Sequence, residues 1–300
     1  VKNLKFITDA YDLHHLKELK EAGADAVVLA DPFYSARGAA PVKTEDFPLY
    51  KKECSAVGLE CFALVNRLFT EDELDGLWEH LRFLKNLDID GIYFGDEAVL
   101  RFAQQLGMED RLRYQPDTLI TNAMDVRFYL QERIQSVVLS GEITLAEICF
   151  IASQCRGDQL ETVIHGRLNM MHSKRHLISS YLKFIHRDVD IRNKRTLYMM
   201  EETRDEHMPI MEDDLGTHAF SGFTLVSFLE IRQLAKAGIG NVRIHGIFHD
   251  VDYVKEALGC YRRILDGAVD AEQMLRDYEQ NHMDDHITNG FYYKKTSMVK

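Results

Sequence analysis

Proline is scarce in this chain of 300 residues, with five in all against eighteen glycines, so the composition fits neither a linker-rich nor a disordered protein. No apolar run approaches the ~18 residues of a membrane span. The opening VKNLKFITDAYD reads as a strand running into a helix and not as a signal peptide, and the expectation is a cytoplasmic protein without membrane contact. The five cysteines, at 54, 61, 149, 155 and 260, include no CxxC pair. That argues against a zinc ribbon or a disulfide framework and for buried, reduced thiols. GxSxG, GxGxxG, GK[ST] and HExxH are all missing, and with them the sequence signals of a nucleophile elbow, a dinucleotide fold, a phosphate loop and a zinc protease. Positive charge is short as well: the net charge is −12, which opposes binding of nucleic acid over the whole surface.

The positive charge that is present is concentrated. From His165 to Arg195 there are eight Lys and Arg against two acids, together with His165, His172, His176 and His186. Such an island, with Lys174 and Arg175 at its head, suits an anion or an RNA backbone, and it equally suits a solvated face that balances acidic neighbours.

Short apolar runs recur along the chain, each followed by a polar turn and an amphipathic helix. They cover residues 4–10, 25–33, 59–69, 90–97, 112–120, 136–143, 160–168 and 241–248, which makes eight strands. Continuous apolar strands alternating with helices imply a parallel sheet covered by helices. Eight units predict a closed (β/α)8 TIM-like barrel over residues 1–267, with an open doubly wound sheet as the alternative. The rhythm breaks once. About seventy residues separate the seventh and eighth strands, far beyond the ~2–6 of an ordinary connection, so residues 169–225 form a long basic insertion. The gap as a whole holds the island, a strand in TLYMMEE, a hairpin in PIMEDDLGTHAFSG and a helix in LVSFLEIRQLAKAG, and the insertion overhangs the barrel face where active sites are built. Residues 268–300 read as a C-terminal helix with a loose end.

In a barrel the polar residues at strand C-termini are the candidates for chemistry. Here they are Asp9, Asp31, Asn66, Asp96 with Glu97, Gln115, Glu142, His165 with Arg167, and His245. This mixture of carboxylates, imidazoles and a guanidinium suits a small anionic molecule or general acid and base work. His165 follows three apolar residues and precedes Gly166, which permits close approach of a ligand or another backbone, and it is placed in the barrel mouth as a proton-transfer or carboxylate-binding group. Glu161, four residues earlier, shares its face but lies ~13 Å away at ~3.3 Å per residue, too far for a simple acid and base pair. His172 and His176 have the i, i+4 spacing of two ligands on one helical face, without a third ligand, and no metal is expected. Met170 and Met171 read as core filler.

LETVIHGRLNMMHSKRHLISSYL, then PIMEDDLGTHAFSG, then KAGIGNVRIHGIFHDVDYVKEALGCYRRILD resemble in combination the collagenase-like U32 peptidase family, over most of the chain. The resemblance implies either a peptidase or a protein of tRNA, ribosomal RNA or quinone hydroxylation. Glu142, Glu161, His165, Gly166, Ser173, Asn122, Glu212, Asp213 and Gly216 match the family pattern; on it Glu142, Glu161 and His165 are expected to be catalytic. Asn122, Gln115, Arg167, Arg243, His245, Lys174 and Arg175 are expected to bind substrate, although Arg243-Ile-His-Gly-Ile247 stands where the family has Lys-Ile-Glu-Gly-Arg. Hydroxylating members hold an iron–sulfur cluster on cysteines; the matching positions here are Asn169, His176 and Val226, with no cysteine near Asn193, so no cluster is expected. The chain therefore resembles the smaller protein of a pair, in which a longer, cluster-bearing relative does the redox chemistry and tRNA and a small carboxylate are the ligands. A hydrolase and a barrel used only for interaction remain as alternatives.

Overall fold

The computed structural model describes residues 4–200, 202 and 206–295. In chain order the first half alternates β1 Lys5–Asp9, α1 Leu16–Ala22, β2 Ala26–Leu29, α2 Phe47–Val57, β3 Glu60–Val65, α3 Leu74–Asn86, β4 Gly91–Phe94, α4 Glu97–Leu106, β5 Leu112–Tyr114, α5 Ala123–Gln131, β6 Ser136–Val138, α6 Leu145–Gln154 and β7 Leu160–Gly166. The insertion follows as β8 Asn169–Ser173, α7 Leu177–Phe184, β9 Leu197–Met200, β10 His207–Asp213, β11 Gly216–Phe220 and β12 Thr224–Val226. The chain then returns with α8 Ile231–Ala237, β13 Asn241–Ile244, α9 Val251–Leu265, α10 Ala271–Asn281 and β14 Ile287–Thr288.

Strands β1 to β7 pair in parallel in sequence order, β13 pairs with β7, and the ring closes where Lys5 to Thr8 of β1 run beside Asn241 to Ile244 of β13. This is the closed eight-stranded barrel that the apolar runs predict. Each strand is buried on both faces because one faces the lumen and the other the helices. Ile7, Val28, Phe62, Leu64, Tyr93 and Val138 pack in the lumen. Phe6, Leu29, Cys61 and Phe94 pack outward against the helices, where truncating a phenylalanine costs about 3–5 kcal/mol. Helix starts are fixed by short polar side chains: Asp96 caps α4, and Thr144 with Glu147 forms a capping box on α6.

The insertion is a second, antiparallel sheet of order β8-β11-β10-β9. Its hairpin turns on Asp214 and Leu215 between Asp213 and Gly216. Gly216 has φ +130°, and a Cβ there would lie 2.0 Å from the carbonyl of Ser173, so no other residue fits. Glu212 ties α7 to this sheet, accepting from the amides of Ile178 and Ser179, at 2.9 and 3.2 Å, and from the hydroxyls of Ser179 and Thr217.

Two readings of the sequence need correction here. The stretch 225–238 is helical only from Ile231; its first residues form β12, which lies antiparallel to the end of β7. The tail is not loose through residue 295. β14 pairs with β12, Phe291 and Tyr292 are buried, and the Tyr292 hydroxyl is 2.9 Å from Ser227 Oγ. Residues 296–300 lie outside the described residues. Among the described residues no helix is long and apolar enough to cross a membrane.

Candidate functional site in the barrel mouth

The lumen carries charge beneath its mouth. Glu161 of β7 is fully buried; the Tyr93 hydroxyl shares its one proton between the two carboxylate oxygens, at 2.9 and 2.8 Å, and Arg113 Nη2 donates at 2.7 Å. Arg113 is also tied to Gln135 Oε1 at 2.6 Å. One layer higher, Arg243 of β13 donates from Nη2 to Asp9 Oδ1 at 2.8 Å, while Asp9 Oδ2 accepts from the amide of Gly246 at 2.8 Å. The guanidinium lies 5.2 Å from the Tyr93 ring centre and is 2 % exposed, yet its Nε and Nη1 have no partner among the described residues. Buried donors left unpaired cost about 1–3 kcal/mol each.

Those donors form the floor of a cavity of about 50 Å³. Its walls include Asn66, Gln115, Glu142, Arg167 and His245, with Leu168, Asn169 and Phe220 of the insertion overhanging it. Gln115 Oε1 is buried without a partner among the described residues. Arg167 donates to the carbonyl of Ser221 at 2.8 Å, and no carboxylate pairs with it among the described residues. Burial, and then the charge of Arg243, pull the His245 imidazole down to about 4, so it is neutral at pH 7. Burial also raises Glu142 above the usual carboxylate range.

His165 is not in the mouth. Val163 pairs with Arg243 but the next pair is His165 with Ile244, so β7 carries a bulge between them. One extra residue inverts the alternation of faces, and Glu161 and His165 end on opposite sides of the strand. The imidazole sits among the helices, with Nδ1 3.3 Å from the Tyr261 hydroxyl and Nε2 3.2 Å from that of Tyr278. Burial lowers its pKa to about 3. The shared face expected for Glu161 and His165 assumed an unbroken strand. Gly166, at φ +102°, gives close approach to the carbonyl of His245, a neighbouring strand and not a ligand.

The remaining candidates separate. Asn122 caps α5, its Oδ1 accepting from the amides of Met124 and Asp125 at 2.9 and 3.1 Å, and it does not line the cavity. Asp31 and Asp96 likewise bind backbone amides, of Phe33 and Thr44 and of Phe69 and Ala98. Lys174 and Arg175 are exposed on the insertion, outside the mouth. His172 and His176 share no helical face: His172 is on β8, and His176, at the start of α7, bonds through Nε2 to the carbonyl of Asp213 at 3.0 Å. Met170 packs against the core but Met171 is exposed.

Two mouth residues escaped the sequence reading. Arg37 and Asp117 pair at 2.6 Å across the cavity wall, and Asp117 also accepts from Asn169 Nδ2 at 3.0 Å. Both have left-handed backbone, at φ +64° and +61°. The available signal for Arg37 was the long, Gly- and Ala-rich connection between β2 and α2.

A thiolate-bound cluster does not fit the positions at which the family resemblance placed one. Asn169 donates to Asp117, Val226 is a buried strand residue beside His165, and His176 is already bonded. The five cysteines are placed elsewhere, on α2, β3, α6, the end of α6 and α9.

The family model of peptidase family U32 matches residues 11–299. The tRNA hydroxylation protein P2 of Bacillus subtilis is 28 % identical over 290 residues, which cover 93 % of this chain and 94 % of that protein. The tRNA hydroxylation protein P of Escherichia coli is 22 % identical, covering 88 % of this chain and 68 % of that protein. An uncharacterized protease of Methanocaldococcus jannaschii is 25 % identical, covering 97 % of this chain and 73 % of that protein. Among solved structures, the U32 peptidase Mk0906 superposes with a TM-score of 0.52 at 11 % identity, over 82 % of this chain and 93 % of that one, which shows the shared fold.

Proposed function

The chain belongs to peptidase family U32, and on that footing we propose that it is a component of tRNA uridine 5-hydroxylation, acting in the cytoplasm with a longer, cluster-bearing relative. The observation that carries this reading is the mouth itself: Arg243, buried with two unpaired donors, beside Arg167 and a neutral His245, in a chain similar over nearly its whole length to a tRNA hydroxylation protein. Such a floor suits the carboxylate of a small molecule, which guanidinium donors hold with geometric specificity.

The redox step belongs to the partner in this reading, because the positions Asn169, His176, Val226 and Asn193 offer no thiolate. Helix α7 supports a partner: Leu177, Tyr181, Phe184 and Ile185 fall at i, i+4, i+7 and i+8 and are 38, 61, 80 and 37 % exposed. An apolar stripe left in water favours association. Hydrolysis is the less favoured alternative. Ser173 Oγ accepts from the amide of Arg175 at 3.2 Å, and among the described residues it bonds to neither His172 nor His176, so no base is set to activate it.

Native mass spectrometry of the protein purified anaerobically from its own host tests the reading. The expected result is a colourless chain without stoichiometric iron, in complex with a larger iron-bearing protein. A brown protein that holds a cluster by itself overturns the division of labour.

A further inference from the structure

A second group of polar side chains lies outside the mouth, on the insertion sheet. Asp213 Oδ1 is 3.2 Å from His218 Nε2, and His218 Nδ1 is 3.1 Å from His172 Nδ1, the two rings stacked at 4.8 Å. His218 is fully buried. In the neutral histidine pair, hydrogen bonding sets the protons. Asp213 also accepts from the amide of Leu215 at 2.9 Å, and its hydrogen bonds hold it ionised against the effect of burial, so it can only accept. His218 therefore donates from Nε2 and presents a lone pair at Nδ1. His172 must then donate from Nδ1, which leaves its Nε2 as a bare acceptor. Burial, and then the charge of Arg37, keep His172 neutral by lowering it to about 4. No partner reaches Nε2 of His172 among the described residues.

His172 lines a groove of about 490 Å³ between the insertion hairpin and the loops after β2 and β3. Phe33 stands in it 55 % exposed, with the Arg67 guanidinium 4.9 Å from its ring centre. Leu68 and Leu215 supply apolar walls. The acids that face it are matched, Glu73 by Arg67 and Asp214 by Arg192 at 3.3 Å. Lys174, whose Nζ donates to the Leu68 carbonyl at 3.3 Å, is the cation there without a carboxylate among the described residues. An open aromatic face, a cation and a fixed acceptor match the three parts of a nucleotide: a π-face, a phosphate and a base edge that offers an N–H.

We propose that this groove binds one unpaired nucleotide of the RNA substrate, and that His172, set by His218 and Asp213, accepts a hydrogen bond from an N–H on its base-pairing edge, as uracil or guanine presents. The site rests on the reading that the chain acts on tRNA. It is separate from the mouth, whose floor takes the small anion. His172 is a specificity group here, and His218 and Asp213 position it.

Two measurements on the full chain test the proposal. In two-bond proton–nitrogen spectra of the unaltered protein the His172 ring is expected as the Nδ1–H form; an Nε2–H form overturns the proposal without recourse to a variant. Fluorescence anisotropy with labelled oligouridylate is expected to show binding about tenfold or more tighter than to the same oligomer methylated at N3, because a site built around a hydrogen bond rejects the analogue that lacks it. His172→Leu should bring the two oligomers together, and Lys174→Ala should weaken both alike. Equal binding of the two oligomers by the unaltered chain, or binding of neither while tRNA hydroxylation in cells requires the chain, removes the groove and leaves the proposed function intact. Loss of the requirement in cells would instead count against that function.

Discussion

Arg243 reaches Asp9 at 2.8 Å with one nitrogen, and its two others, at the barrel mouth, have no partner among the described residues. Half of this guanidinium is thus a structural tie between β13 and β1, and half faces the cavity. Arg243→Ala strands Asp9 as a buried, uncompensated charge, at a cost of about 3–5 kcal/mol. Arg243→Lys keeps the charge but loses the planar fork. The expected outcome is a Lys variant whose melting temperature stays within a few degrees of the parent while its support of tRNA hydroxylation falls tenfold or more, and an Ala variant that loses both. Thermal melts beside quantification of the modified nucleoside separate the two effects.

His165 supplies the opposite case. Its removal leaves the Tyr278 hydroxyl without the imidazole in a dry layer, at about 1–3 kcal/mol. His165→Leu should lower the melting temperature by several degrees, and the folded fraction should still support hydroxylation. A fully folded variant without activity would return His165 to the site.

Acid should destabilise the protein through its neutral buried histidines. His165 is lowered to about 3 and His80 to about 4, in each case chiefly by burial. Below about pH 6.5 the unfolded chain binds protons that the folded chain refuses, so stability rises with pH in this window and falls as pH drops toward those values. At pH 5 the two together remove about 4 kcal/mol. Chemical denaturation between pH 4.5 and pH 7 should show this slope, and His165→Leu should lessen it by about one proton.

Much of the fold was legible because the barrel repeats one simple unit. The apolar runs gave eight strands, and the single long gap gave the insertion. What the pattern could not carry was register. The bulge at β7 is one residue, invisible to periodicity, and it moved His165 from the mouth to the helices. Asp96 is a strand-end residue as expected and Asn122 entered through the family resemblance, but the side chains of both cap helices. Gln115, Glu142, Arg167, Arg243 and His245 do meet at one cavity. Arg37 did not announce itself, because its place depends on a left-handed turn in a loop that has no period.

The basic surface of the insertion should carry part of the affinity for RNA. Lys174, Arg175 and Lys183 are exposed, and no carboxylate neutralises them among the described residues. Reversing all three to Glu should weaken tRNA binding, by the chain or its complex. It should also flatten the salt dependence by about two counterions, at ~0.7 for each single-stranded phosphate contact. An unchanged affinity and slope would make the island a solvated face.

The most direct measurement is the content of 5-hydroxyuridine-derived nucleosides in tRNA from cells that lack this chain but keep its longer relative. Loss of the modification is expected, restored by the parent chain and not by Arg243→Lys. Modification that persists at the parent level without this chain would contradict a role in tRNA hydroxylation.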